Sequence, residues 1–186
     1  MLNVCCVNAH DYLGRGTEYV RRLWKGVDRH LSAPYAFHVL TEHDAPGPGW
    51  WAKLSLFEPG RFKGRCLYFD LDTLIVKSLD AIASYEGDFA GLSDFYHPRF
   101  FASGVMAWDA DQNGIWDAWV KQNYPMGHRM GDGGFIGEQV PGADRLQTLF
   151  PGQFVSYKAH CGKGVPVTAH VVCFHGLPRP HETSLW

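Results

Sequence analysis

Short apolar runs alternate along the chain with stretches in which apolar residues recur every three or four positions. Residues 2–7 are almost all apolar and predict a first strand. Residues 17–31 place Tyr19, Val20, Leu23, Trp24, Val27 and Leu31 on one face of a helix. Further strands are predicted at 36–41, 66–70, 89–92, 105–108, 154–157 and 171–174, and further helices at 51–57, 111–123 and 132–140. The alternation predicts an α/β protein whose mainly parallel sheet is flanked by helices. The densest Pro/Gly stretch, 45–49, is expected to be a loop, and the absence of repeats or linkers predicts one domain over residues 1–186.

Composition narrows this only a little. A chain of 186 residues with 46% hydrophobic and 19% charged residues can bury a real core. A formal net charge of -2 gives no bulk attraction to nucleic acid or to an anionic membrane, so neither is expected as a partner. The start MLNVCCVNAH lacks the basic residues and apolar core of a secretory signal, and no apolar run nears the ~20 residues of a membrane span. A soluble, cytoplasmic protein is expected. Its five cysteines are odd in number, lie mostly in apolar runs and form no C-x-x-C pair, which favours buried reduced thiols over disulfides or structural zinc.

The most loaded segment is CLYFDLDTLIV at 66–76, where Asp70 and Asp72 interrupt an apolar run. On a continuous strand their side chains point the same way and repel, which calls for a shared proton, a neighbouring cation or a bound metal. The plainer alternative is a turn in which one Asp caps the 79–85 segment and the other is solvated. Other candidates fall where strands are predicted to end: Asn8 to Tyr12, Phe101 to Gly104, and His175-Gly176. Open α/β sheets bind ligands at that edge, although each residue alone has an ordinary packing or turn role.

Taken in order, HDYLGRGTEYVRRLWKGVDRHL, WWAKLSLF, CLYFDLDTLIVKSLDAI, FASGVMAWD, MGDGGFIGE and CFHGLPRPHE resemble the glycosyltransferases of family 8, the glycogenin-like enzymes with the GT-A fold. The D-x-D segment and the terminal HG-x-P-R-P are the most specific matches. The resemblance implies transfer of a sugar from a nucleotide sugar, usually a UDP-sugar, with retention and with Mn²⁺ or, alternatively, Mg²⁺. The acceptor could be a glycan, lipid or protein. By the same resemblance Asp70 and Asp72 would hold the metal, Tyr12 would stack on the base near Asn8, and Lys53 and Arg179 would contact phosphates. Leu71, Ser103 and Gly176 join this donor-binding set, while Asp132, with Lys53, would serve catalysis by orienting the sugar or the acceptor.

The chain departs from the family pattern in three places. Ala102 stands where the family often has Asn, and Gly133 where it often has Gln, so fewer donor hydroxyl contacts are expected. Counting back from Gly176 and Arg179-Pro180 puts Cys173 at the family's metal-binding His, with His175 two residues later on the same face of an extended chain. Imidazole suits Mn²⁺ better than a thiolate, so His175 is the expected third ligand and Cys173 the alternative. Two other readings stay open. FDLDTL superficially resembles the start of a haloacid-dehalogenase-type phosphatase, and a degenerate GT-A domain would bind nucleotide sugar without turnover.

Overall fold

The computed structural model describes residues 1–44, 49–109 and 112–186. Nine strands are described: β1 Leu2–Asn8, β2 Tyr35–Thr41, β3 Cys66–Phe69, β4 Thr73–Ile75, β5 Phe89–Ser93, β6 Phe101–Trp108, β7 Asp144–Arg145, β8 Phe154–Ser156 and β9 Val171–Cys173. The helices are α1 Gly16–His30, α2 Asp80–Ala83, α3 Asn113–Lys121, α4 Gly131–Gln139, α5 Leu146–Leu149 and α6 Tyr157–His160.

Six strands form one sheet in the order β2-β1-β3-β6-β5-β7. The β1/β2, β1/β3 and β5/β7 pairs are parallel, while β6 runs antiparallel to both β3 and β5. A smaller sheet, β4-β9-β8, packs beside it. The apolar runs predict buried strands because both faces of the large sheet are covered. Val4, Cys6, Leu67 and Phe69 join Tyr19, Leu23 and Val27 of α1 in one core. The alternate residues Cys5, Cys66 and Tyr68 face the opposite way, into a core with Trp51, Leu54, Trp119 and Phe135. Leu74, Val155, Val172 and Phe174 make a third cluster on the small sheet.

Several boundaries move. Trp24 is exposed, leaving Tyr19, Leu23 and Val27 as the buried stripe of α1. The expected helix at 51–57 is a 3₁₀ stretch, Gly49–Phe57, whose residues 51–57 are all buried, so it has no polar face to reveal a period. β6 begins at Phe101, four residues earlier than expected. The helix expected from 111 is described from Asn113, Asp111 itself lying outside the described residues, as do 45–48 of the expected loop.

The larger correction concerns 66–76. It is not one strand: β3 ends at Phe69 in the large sheet, β4 starts at Thr73 in the small one, and a turn closed by Thr73 N–H donating to Asp70 O (3.1 Å) joins them. The two aspartates therefore sit on the link between two sheets, not side by side on a strand. Among the described residues the five cysteines are free thiols, four buried and Cys161 half-buried, and no helix is long and apolar enough to cross a membrane.

Candidate active site

Because β6 is antiparallel, its first residues lie at the same edge as the carboxyl ends of β1, β3 and β5. A cavity of about 490 Å³ opens at that edge, within the range of small-molecule sites. Asp70, Leu71, Asp72, Lys53, Ser103 and Asp132 all line it. So do Tyr12, Cys173, His175 and Arg179, whereas Asn8 and Gly176 are not among its lining residues.

Each carboxylate of the D-x-D turn has its own cation. Asp70 Oδ1 accepts from Lys53 Nζ (3.0 Å) and from the Tyr68 hydroxyl (2.6 Å). Asp72 Oδ2 accepts from Arg179 (2.8 Å) and from the Tyr12 hydroxyl (2.9 Å), and Arg179 also donates to that hydroxyl oxygen (2.7 Å). The like-charge repulsion is thus offset by two neighbouring cations. Burial, with Asp70 adding to it, still pushes the Asp72 carboxyl up to about 6, against the pull of Tyr12 and Arg179. Burial likewise raises Asp70, opposed by Lys53.

Lys53 is buried, and its ammonium also meets Asp132 Oδ2 (2.8 Å) and Ser103 Oγ (3.0 Å). Burial pulls its pKa down, but Asp132 and Asp70 outweigh that and hold it above the ordinary lysine value. Its three N–H donors are taken by Asp70, Asp132 and Ser103, so Lys53 braces the carboxylates and has no donor left for the phosphate contact expected from the sequence. Asp132 is not a helix cap. Met130 is the N-cap of α4, and the Asp132 side chain in the first turn accepts from Ser103 Oγ (2.7 Å) as well as Lys53.

The remaining expected residues divide. Asn8 Oδ1 accepts from Tyr12 N–H (3.0 Å) and shapes the loop; a Cβ on Gly16 would come within 2.0 Å of that oxygen, which is why α1 starts on glycine. Gly176 sits at φ 79°, a left-handed turn after β9. His175 does not face the aspartates in this arrangement: Nε2 lies 2.6 Å from Ser156 Oγ and the ring stacks on Phe95. Burial, then Lys158, lowers its pKa, which favours the neutral ring. Cys173 lies nearer the pair, and burial with both aspartates raises its thiol well above the ordinary value. Among the described residues no three Asp, Glu, His or Cys side chains gather as a ready metal cage.

Asp94 and Trp50 are among the lining residues that the sequence does not single out. Asp94 follows β5 at the same edge, but its SDFYHP context reads as an ordinary turn. Trp50 is 66% exposed yet lines the cavity mouth, and it adjoins a Pro/Gly-rich stretch that carries no periodicity.

No protein-family model matches the chain, and no curated protein is similar to it in sequence. Solved structures are similar in fold. The galactosyltransferase LgtC, in a complex with donor and acceptor sugar analogs, superposes with a TM-score of 0.66 at 16% identity over 96% of this chain and 88% of its own. The glycosyltransferase GlyE of Streptococcus pneumoniae gives 0.66 at 13% identity, over 96% of this chain and 55% of its own. WbbM, a bifunctional glycosyltransferase, gives 0.69 at 10% identity, over 99% of this chain and 47% of its own. The fold is the GT-A fold. The chain spans about half the length of GlyE and WbbM.

Within that fold, the open oxygens decide what the cavity accepts. Among the described residues Asp70 Oδ2 and Asp72 Oδ1 accept no hydrogen bond, although both side chains line the cavity. Two carboxylates with one unused oxygen each suit a hard divalent cation that takes its other ligands from phosphates and water. Four carboxylates (Asp70, Asp72, Asp94, Asp132) against two cations (Lys53, Arg179) leave the lining at -2, which suits a cation rather than a bare anion.

Proposed function

We propose that this protein is a glycosyltransferase of family 8 type that moves a sugar from a nucleotide sugar, a UDP-sugar, to an acceptor with retention at the anomeric carbon. The observation that carries the proposal is the D-x-D turn at the GT-A sheet edge, whose two aspartates line a negatively charged cavity and among the described residues keep one unused oxygen each. The likeness to LgtC, which binds donor and acceptor analogs at similar overall architecture, supports it.

In this reading Asp70 and Asp72 would hold Mn²⁺ or Mg²⁺, and His175, which lines the same cavity, would join them if it left Ser156. Such a cation would supply charge neutralisation on the departing nucleotide diphosphate. Arg179, presented beside Asp72 and Tyr12, adds a second positive group at that position. Lys53 fixes Asp70 and Asp132 relative to one another. Asp132 then offers its second oxygen to a hydroxyl of the transferred sugar or the acceptor, and Tyr12 supplies an aromatic face for the base.

The test is release of UDP from a panel of UDP-sugars, with GDP-sugars and a phosphomonoester alongside, in Mn²⁺ and in chelator. Slow, cation-dependent hydrolysis of one UDP-sugar is expected. Hydrolysis of the phosphomonoester alone, or cation-dependent UDP-sugar binding without turnover, would replace the proposal by the phosphatase or the binding module. The anomeric configuration of the product, read by NMR, tests retention.

A further inference from the structure

A second concavity of about 390 Å³ adjoins the first and shares Phe101 and Met130 with it. Its charged lining is Arg99, Arg129 and Arg145 against Glu138 alone. Among the described residues none of the three arginines forms an ion pair, and Glu138 is turned to His128 (3.0 Å). The lining therefore carries +2 in a chain whose net charge is -2.

Two of the guanidiniums are held without spending their charge. Arg99 lies over the ring of Phe100 (4.7 Å to the centroid) and Arg145 over that of Phe101 (5.1 Å). An aromatic face restrains a guanidinium plane while leaving most of its N–H fork open, whereas a carboxylate would consume it. Among the described residues only one hydrogen bond draws on these forks, Arg145 donating to Ala143 O at 3.2 Å. Ordered, unpaired forks beside a catalytic cavity match a planar or tetrahedral oxyanion.

We propose that this concavity is an acceptor subsite for a phosphate group, so that the acceptor is a phosphorylated carbohydrate whose reacting hydroxyl reaches Asp132 past Met130. The assignment rests on the glycosyltransferase reading for the word acceptor, but the oxyanion site itself does not. Phosphate near -2 matches the +2 lining better than a single carboxylate does.

Calorimetry with glucose, glucose 6-phosphate and glucuronate as probes tests it, with donor hydrolysis by the unmodified protein assayed separately. Glucose 6-phosphate should bind at least tenfold tighter than glucose, and weaken as salt rises. Arg129→Glu should remove that preference; Arg129 is exposed, so the fold is expected to survive, and Arg99→Gln gives a second variant if it does not. Equal binding of glucose and glucose 6-phosphate, or a preference that survives both variants, would overturn the subsite. Glucuronate binding as tightly as glucose 6-phosphate would overturn phosphate as its ligand. Phosphate-selective binding without donor hydrolysis would leave the subsite standing and remove the transferase.

Discussion

Asp72→Asn in metal-free protein isolates the cost of the charge that the site keeps buried. The Asp72 side chain is 12% exposed, and its carboxyl is raised from 3.8 to about 6 in the folded protein. Between those values the folded state still holds a proton that the unfolded chain has released, so stability falls as pH rises through the interval. At about 1.4 kcal/mol per unit, the shift amounts to about 3 kcal/mol, present in full above pH 6 and absent below pH 4. Asn keeps an acceptor oxygen for Tyr12 and Arg179 and removes the charge. The variant should therefore be more stable than the parent at pH 7.5, by up to about 3 kcal/mol, with the gap closing towards pH 4. Guanidinium unfolding followed by tryptophan fluorescence in chelator, from pH 4 to 8, measures this. A variant less stable than the parent at pH 7.5, or a gap independent of pH, would refute the reasoning. On the proposed function, Mn²⁺ with UDP should stabilise the parent and not the variant.

The other predictions concern the groups around it. Lys53→Met strands Asp70 and Asp132 without their cation and should cost about 3–5 kcal/mol in the same unfolding assay; a loss below about 1 kcal/mol would mean that the carboxylates find water instead. Asp132→Asn should leave UDP affinity near that of the parent and lower turnover about tenfold or more, a barrier change of at least ~1.4 kcal/mol. Lost UDP affinity would move Asp132 into the phosphate site. His175→Ala should weaken Mn²⁺-dependent UDP binding about tenfold or more and Cys173→Ser much less, since imidazole suits Mn²⁺ better than a thiolate does; the opposite ranking would leave His175 as a partner of Ser156 only.

What the sequence makes legible is whatever depends on local periodicity. Fully apolar runs mark β1 and β3 because both of their faces are buried, and the i, i+4 spacing of Tyr19, Leu23 and Val27 marks α1. The start of β6 is hidden because Ala102, Ser103 and Gly104 are too small to show alternation. The break at Asp70 is hidden for the opposite reason: apolar residues flank it on both sides, and nothing local says that the flanks belong to different sheets. The spacing does put Asp70 and Asp72 at a site, but the clamp of Asp70 and Asp132 on Lys53 joins segments remote in sequence and leaves no periodic trace. Ligand chemistry favours His175 over Cys173, but nothing local in the sequence shows the competing hydroxyl of Ser156.

The turn at Asp70–Asp72 has a mechanical consequence. Its first carboxylate ends a strand of the large sheet and its second precedes a strand of the small one, so whatever coordinates both ties the two sheets together. A ligand at a hundredfold excess over its dissociation constant would then add about 2.7 kcal/mol to the free energy of parting them. Amide exchange in β4 and β9 should slow by about a hundredfold if those strands open by that route, while β2, at the far edge of the large sheet, keeps its rate. Occupancy of the cavity would then be readable as a latch on the local opening of β4 and β9.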